Sequence, residues 1–346
     1  MTQHILSQEN PRALTVLARA RREIDPLMRA AVDELPRSMR RVTGFHLGWW
    51  NQFEVPEEGA PGKALRPALV MASARALGDD SGACAAAAAA IELLHNFTLV
   101  HDDVMDADTT RRHRPTAWSV FGTTDAILAG AALHTLALMV LARDEHAAAP
   151  PAAGRLTTCL IELYEGQSAD CRFETRNDVG LAETMAMAEA KTGALLGAAC
   201  AIGALYAGAS DDVATSLDRF GRELGLGYRL IDDLLGIWGD PAVTGKPAGS
   251  DLISMKKSLP VVAALSSNTP AGALLAERYA SGASVREREV TWIAGLVELA
   301  GGREWARAEA TRRVRLALDL LATTCPDEAA AADLMALTRL VTRRQS

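Results

Sequence analysis

Residues 101–116, HDDVMDADTTRRHRPT, hold the densest group of chemically capable side chains in the chain. On a helix Asp102 and Asp106 stand at i and i+4, so their carboxylates share one face with Asp103 alongside. Like charges placed this way repel, and a divalent cation that prefers oxygen ligands, such as Mg²⁺ with substrate phosphates, would offset that cost. The same spacing also suits a solvated helix end, because so short a motif recurs by chance. Arg111 and Arg112 follow closely. Paired guanidiniums beside a carboxylate cluster fit the far side of a diphosphate, although ion pairing with Asp106 and Asp108 would also account for them.

A second acidic segment spans residues 230–260, LIDDLLGIWGDPAVTGKPAGSDLISMKKSLP. Asp232 and Asp233 end an apolar helical pattern, and a Gly/Pro-rich loop then brings Lys246, followed by Asp251, Lys256 and Lys257. A loop of that composition serves an active site as readily as it spaces two elements. Upstream, Lys63 and Arg66 stand at i and i+3 and share a face if the segment is helical. A lone pair of this kind is usually surface decoration, and it gains meaning only by converging with the acidic motifs. Two acidic helices, each followed by basic residues, could face one another across a pocket and bind the same Mg-diphosphate from both sides.

The elements that must position these residues read as helices. The chain has 346 residues, is 49% hydrophobic but only 5% aromatic, and is rich in alanine, the strongest helix former. Breaks fall near 51–61, 146–154, 174–180 and 239–250, with helical patterning between them and no strand longer than a few residues. The expectation is one all-α domain over residues 1–346, built from about ten or more helices. Lys and Arg number 36 against 43 Asp and Glu, a net charge of −7 that argues against a nucleic-acid partner. Five widely spaced cysteines without a Cys-x-x-Cys pair, and a polar N-terminal stretch, point to a reduced, cytoplasmic protein without a secretion signal. The apolar stretches 126–142 and 194–209 fall short of the roughly 20 residues that cross a bilayer. They are expected as buried central helices, with no transmembrane segment.

At this point the residues resemble a family. From about Lys63 to Pro260 the chain is similar to the short-chain trans-isoprenyl diphosphate synthases, in that family's motif order. Asp102-Asp103-Val104-Met105-Asp106 with Arg111-Arg112 and Pro115-Thr116 matches the first aspartate-rich motif. Gly62-Lys63 with Arg66-Pro67 matches G-K-x-x-R-P, while Gly166-Gln167, Asp170 and Phe173-Glu174 match G-Q-x-x-D-x-x-F-E. Lys191-Thr192-Gly193 matches K-T-G, and Asp232-Asp233, Gly239-Asp240, Gly245-Lys246, Asp251, Lys256 and Leu259-Pro260 match the second motif and its loop.

The resemblance implies a single large helical bundle of the isoprenoid synthase type, with a central cavity between two facing Asp-rich helices. It implies condensation of isopentenyl diphosphate with allylic diphosphates by ionisation, condensation and elimination, in a homodimer. Three Mg²⁺ ions are implied, two on Asp102 and Asp106 and one on Asp232, with Asp103 and Asp233 supporting them. Arg111, Lys191 and Lys246 would bind the allylic diphosphate, with Lys256 as an addition. Lys63, Arg66, His95 and Arg112 would hold isopentenyl diphosphate, and Arg343-Arg344 could close over that site. Phe97 and Thr98, five and four residues before the first aspartate, would face the growing tail. One aromatic beside a small Thr leans toward a C20 over a C15 product, although Phe97 could equally be core packing.

The sequence departs from the family at three places. Gly236 stands where the second motif normally ends in Asp, Arg229 stands where Gln is common, and Ala131 replaces an aspartate after Ala129-Gly130. The competing readings are a class I terpene cyclase and a non-catalytic regulatory subunit. The cations expected to hold a second diphosphate, and the missing N-D-x-x-S-x-x-x-E motif, argue against the cyclase. Retention of the first motif, Lys191 and Lys246 argues against the subunit.

Overall fold

A run of six alanines, then Ile91, Leu93 and Leu94, makes residues 85–105 a helix that needs no polar cap, because nearly all of its first half is buried. The computed structural model describes residues 11–57, 62–240 and 249–342. In chain order the helices are α1 (Pro11–Asp33), α2 (Arg37–His46), α3 (Leu65–Ala76), α4 (Ala85–Met105), α5 (Ala117–Phe121) and α6 (Thr123–Ala142). There follow α7 (Ala149–Thr175), α8 (Leu181–Ala188), a π-helical turn (Glu189–Gly193), α9 (Ala194–Tyr206) and α10 (Asp211–Trp238). The last six are α11 (Ser250–Ile253), α12 (Leu259–Leu265), α13 (Pro270–Ala280), α14 (Glu287–Leu299), α15 (Gly302–Thr324) and α16 (Glu328–Thr342). The strands among the described residues are β1 (Thr110–Arg111) and β2 (Arg114–Pro115), an antiparallel hairpin. The fold is all-α, as the sequence predicts.

Contacts group the described residues into two compact units, one within 1–158, 198–218 and 322–337, the other within 159–197, 219–321 and 338–346. In the first, α4 packs against α3 and α6, with Ala87–Ala90, Leu93, Leu133 and Leu136 sealed from solvent. In the second, Leu226, Leu230, Ile231 and Leu234 of α10 form one apolar stripe with Leu259, Ala306 and Ala310. That stripe turns Asp232 outward while Asp233 is buried.

Three local expectations are corrected. The break predicted over 146–154 ends at Ala149, because Pro150 and Pro151 occupy the first turn of α7, where an amide has no intrahelical acceptor to lose. Lys63 does not share a helix face with Arg66, since Ala64 takes a left-handed φ of 52° and α3 starts at Leu65. The apolar stretches extend into longer helices than expected. Thr123–Ala142 has 20 residues and Leu181–Tyr206 has 26, both long and apolar enough to cross a membrane by length and composition. Only 44% of the first helix's apolar window is buried, against 67% of the second. Helix α6 is therefore not a fully enclosed central helix, and Ile127 and Leu128 face outward.

Candidate active site

In the first unit Asp102 and Asp103 lie in the last turn of α4, and Asp106 is its C-cap in helical conformation, its amide donating to the Asp102 carbonyl at 2.8 Å. The i, i+4 relation of Asp102 and Asp106 is thus present. Asp103 points inward and accepts from Arg111 Nε at 2.6 Å. Burial pushes the Asp103 carboxyl up to about 6 despite that guanidinium, and its second oxygen has no hydrogen-bond partner.

Arg111 is held by the hairpin. Arg112 and His113, its two central residues, both take positive φ (51° and 62°), the backbone of a type I′ turn that glycine or asparagine normally supplies. Surrounding contacts impose it. Asp108 O accepts from Thr116 Oγ1 at 2.8 Å and from Trp118 Nε1 at 2.7 Å, and Arg114 donates to the Phe45 carbonyl while lying over that ring. Strained turns of this kind persist where the surroundings over-determine them.

The turn places Arg111 and Arg112 on the wall of a cavity of about 60 Å³, together with Arg21, His46, Glu92 and Asn96. Gly62 belongs to the same wall, and a Cβ there would lie 2.6 Å from an Arg112 Nη atom. Burial, then Arg66 and Arg112, hold His95 well below its usual range, so its imidazole is neutral. His46, lowered to about 3 chiefly by burial and then by Arg111 and Arg112, is neutral too and pairs with Asn96 at 3.2 Å. Glu92 is buried with one carboxylate oxygen unpartnered, its carboxyl raised by burial and opposed by Arg66, Arg112 and Arg21. Sequence reasoning missed Glu92, although Glu92, His95 and Asn96 are the polar residues of one otherwise apolar stretch at helical spacing.

Thr98 lies one turn before Asp102 on the same face of α4, and its hydroxyl is tied back to the His95 carbonyl at 2.8 Å. Phe97, 5% exposed, stacks on His134 of α6 at 5.3 Å and makes an edge contact with His101 of its own helix at 4.7 Å.

The second unit holds the other expected residues. Gly166 lets α7 approach the π turn so closely that a Cβ there would sit 2.6 Å from the Lys191 amide nitrogen. One turn on, Asp170 Oδ2 receives Lys191 Nζ at 2.6 Å. Burial would raise the Asp170 carboxyl, but Lys191, Lys256 and Arg229 outweigh it and hold it at about 2. Gly166→Ala should therefore push α7 off the π turn and cost about 1–3 kcal/mol, the usual range for overpacking, read as a lower urea midpoint with unchanged slope.

Asp233 is held on one oxygen by an ion pair that lacks hydrogen-bond alignment and on the other by a hydrogen bond. Arg229 Nε lies 2.8 Å from Oδ1, and Oδ2 accepts from the Leu259 amide at 2.9 Å. At Gly236, the departure from the motif, an added Cβ would meet the Asp251 carboxylate, the far end of a flexible side chain. Asp251 from α11 thus lies where a side chain one turn after Asp232 would project. Of the two lysines that follow, Lys257 is spent on the end of α7, donating to the Phe173 and Glu174 carbonyls at 2.7 and 3.1 Å. Lys256 acts on Asp170 and Asp233. Lys246, Arg343 and Arg344 lie outside the described residues, and Lys63 is exposed on the loop before α3.

Among the described residues no three His, Cys, Asp or Glu groups converge into a closed metal cage. The donors present are carboxylates, one or two to each cluster, which suits Mg²⁺, an ion commonly held by one or two carboxylates, several waters and substrate phosphates.

A geranylgeranyl diphosphate synthase from Mycobacterium tuberculosis is 44% identical over 331 residues, covering 95% of this chain and 93% of that protein. A (2E,6E)-farnesyl diphosphate synthase from Mycobacterium bovis is 43% identical over 338 residues, covering 97% and 94%. The crystal structure of a polyprenyl synthetase from Streptomyces coelicolor superposes with a TM-score of 0.90 at 42% identity, covering 94% of this chain and 98% of that one. The polyprenyl synthetase family model matches residues 57–295, and the chain belongs to that family as a short-chain trans-prenyltransferase.

Proposed function

We propose that the chain condenses isopentenyl diphosphate with allylic diphosphates in a Mg²⁺-dependent reaction and releases geranylgeranyl diphosphate. The observation that carries the C20 reading is the position of Thr98. It lies one turn below Asp102 on the face along which a tail would run, while Phe97, the larger residue, is drawn aside onto His134. The relatives divide between C20 and C15 names, so the reading rests on this geometry.

In this reading Arg66, Arg112 and the neutral His95 hold isopentenyl diphosphate, with Lys63 on the adjoining loop. Arg111, Lys191, Lys246 and Lys256 attend the allylic diphosphate. The Asp102–Asp106 pair and Asp232 would hold Mg²⁺, which supplies charge stabilisation to the departing diphosphate when bound. Guanidiniums fixed by the hairpin need no rearrangement as charge develops, the condition under which electrostatic stabilisation is strongest. The allylic cation must be kept from water. The isopentenyl double bond attacks that cation, and the proton lost afterwards passes to diphosphate, so no side-chain base is required.

The outward apolar residues of α6, Ile127 and Leu128, support a homodimer formed through helices, and the five free cysteines support a reducing, cytoplasmic setting. We read residues 1–346 as one functional domain.

The deciding experiment incubates purified protein with Mg²⁺, isopentenyl diphosphate and each of dimethylallyl, geranyl and farnesyl diphosphate, with mass spectrometry before and after phosphatase treatment. A dominant C20 alcohol is expected, whereas a C15 alcohol would replace the chain-length reading and leave the prenyltransferase intact. Thr98→Phe, which puts a ring directly under Asp102, should shift the dominant product from C20 to C15. An unchanged C20 product would remove Thr98 from the tail path.

A further inference from the structure

The second acidic motif carries a cation of its own. Arg229 stands on α10 one turn before Asp233, its side chain only 12% exposed and its Nε 2.8 Å from Asp233 Oδ1. Burial alone would lower the guanidinium, yet Asp233, Asp170, Asp232 and Asp251 together raise it further above its ordinary value. All four carboxylates therefore act on one fixed positive charge. Asp170 is already bonded to Lys191, and both oxygens of Asp233 are taken, by Arg229 and by the Leu259 amide. Gly236 removes a further carboxylate, and the Asp251 carboxylate fills the space beside it. Compared with a motif carrying a third aspartate and a neutral residue at 229, this cluster has one negative charge fewer and one positive charge more.

We propose that Arg229 is a resident counter-cation of the second acidic motif, a positioning residue that takes up charge a divalent ion would otherwise neutralise, so that this motif gains its ion only together with a diphosphate. The inference rests on the metal role given above to Asp232. A buried guanidinium close to an ion site opposes the ion by direct repulsion, and within the protein that repulsion is poorly screened. A bound diphosphate brings negative oxygens that satisfy both cations. Arg229 cannot lose its proton and so acts as a constant charge.

The test is a Mn²⁺ titration followed by the electron paramagnetic resonance of the free ion, run without and then with inorganic diphosphate; without it only Arg229→Gln should bind the ion, and binding by the background there would overturn the inference. It uses full-length protein carrying Asp102→Ala and Asp106→Ala, so that the first motif does not report. Arg229→Gln in this background should bind Mn²⁺ at least ten-fold more tightly, and Arg229→Lys should bind like the background. Asp233→Asn, which removes the carboxylate in contact with the arginine, should bind several-fold more weakly. The double change Arg229→Gln with Asp233→Asn, which preserves net charge, should return to within two-fold of the background.

Equal affinity for the Gln, Lys and background proteins would overturn the inference, as would an order that does not follow charge. If Arg229→Gln does not fold, the Asp233→Asn and double variants decide the matter by the same ordering. Asp232→Ala in the background should abolish the remaining binding. Persistence of the ion there would instead overturn the assignment of Asp232 itself, separately from any result at Arg229.

Discussion

Asp102→Ala lowers turnover by on the order of 10³-fold, the scale on which active sites lose rate when a group stabilising developing charge is removed. Asp102 and Asp106 close the last turn of α4 with their carboxylates on one face, and the hairpin that follows fixes Arg111 against Asp103. Asp102 shares its face of α4 with Asp106. It lies where like charges repel, so its removal should leave the thermal midpoint unchanged or slightly raised. The prediction is checked by steady-state rates alongside a circular-dichroism melt. Lost activity with an unchanged melt separates a ligand from a structural residue, whereas surviving turnover would remove the first motif from the metal assignment.

Asp233→Ala is expected to destabilise the protein by about 3–5 kcal/mol at neutral pH, the range for breaking a buried ion pair from one side. It removes the carboxylate in contact with the Arg229 guanidinium and the acceptor of the Leu259 amide at once, in a place the apolar stripe of α10 keeps dry. Asp233→Asn keeps an acceptor for Leu259 and should cost much less. The pH dependence distinguishes the charge from the hydrogen bonds. Burial pushes the Asp233 carboxyl up to about 6 against the attraction of Arg229, above its ordinary 3.8. A carboxyl raised on folding contributes stability that is fully present below its unfolded value and is lost as pH rises through its folded value. In metal-free buffer the parent should therefore lose stability relative to the Asn variant as pH rises from about 4 to about 6. Urea midpoints across that window check it, and parallel curves would contradict the burial argument. Asp170, held at about 2, behaves oppositely: its contribution is present above its unfolded value of 3.8 and is lost as pH falls toward 2.

The parts of the site legible in the sequence are those set by helical period. Asp102 and Asp106 are read correctly because i and i+4 share a face in any α-helix, cap included. The apolar helical pattern that Asp232 and Asp233 end is likewise present, as the buried stripe of α10. What escaped the sequence depends on backbone that ordinary residues rarely adopt or on contacts distant along the chain. Ala64, Arg112 and His113 hold positive φ without being glycine or asparagine, so nothing local announced that Lys63 leaves the helix or that the paired arginines sit on a hairpin. Gly236 reads as a missing ligand until Asp251 is seen against it. Lys256 and Lys257 are adjacent and alike in sequence, yet the second caps α7 while the first faces the acidic cluster.

The π turn at Glu189–Gly193 amounts to one residue more than a continuous α-helix would hold between α8 and α9. Each α-helical residue advances the side chains by about 100°, so the extra residue sets the faces of the two helices out of phase by that angle. Lys191 reaches Asp170 from within this phase slip. Deleting a single residue there would heal the helix into a smoother and intrinsically more regular element. It would also rotate every side chain on one side of the join away from its present partner, so the lysine's address is written in the irregularity rather than in the motif that contains it.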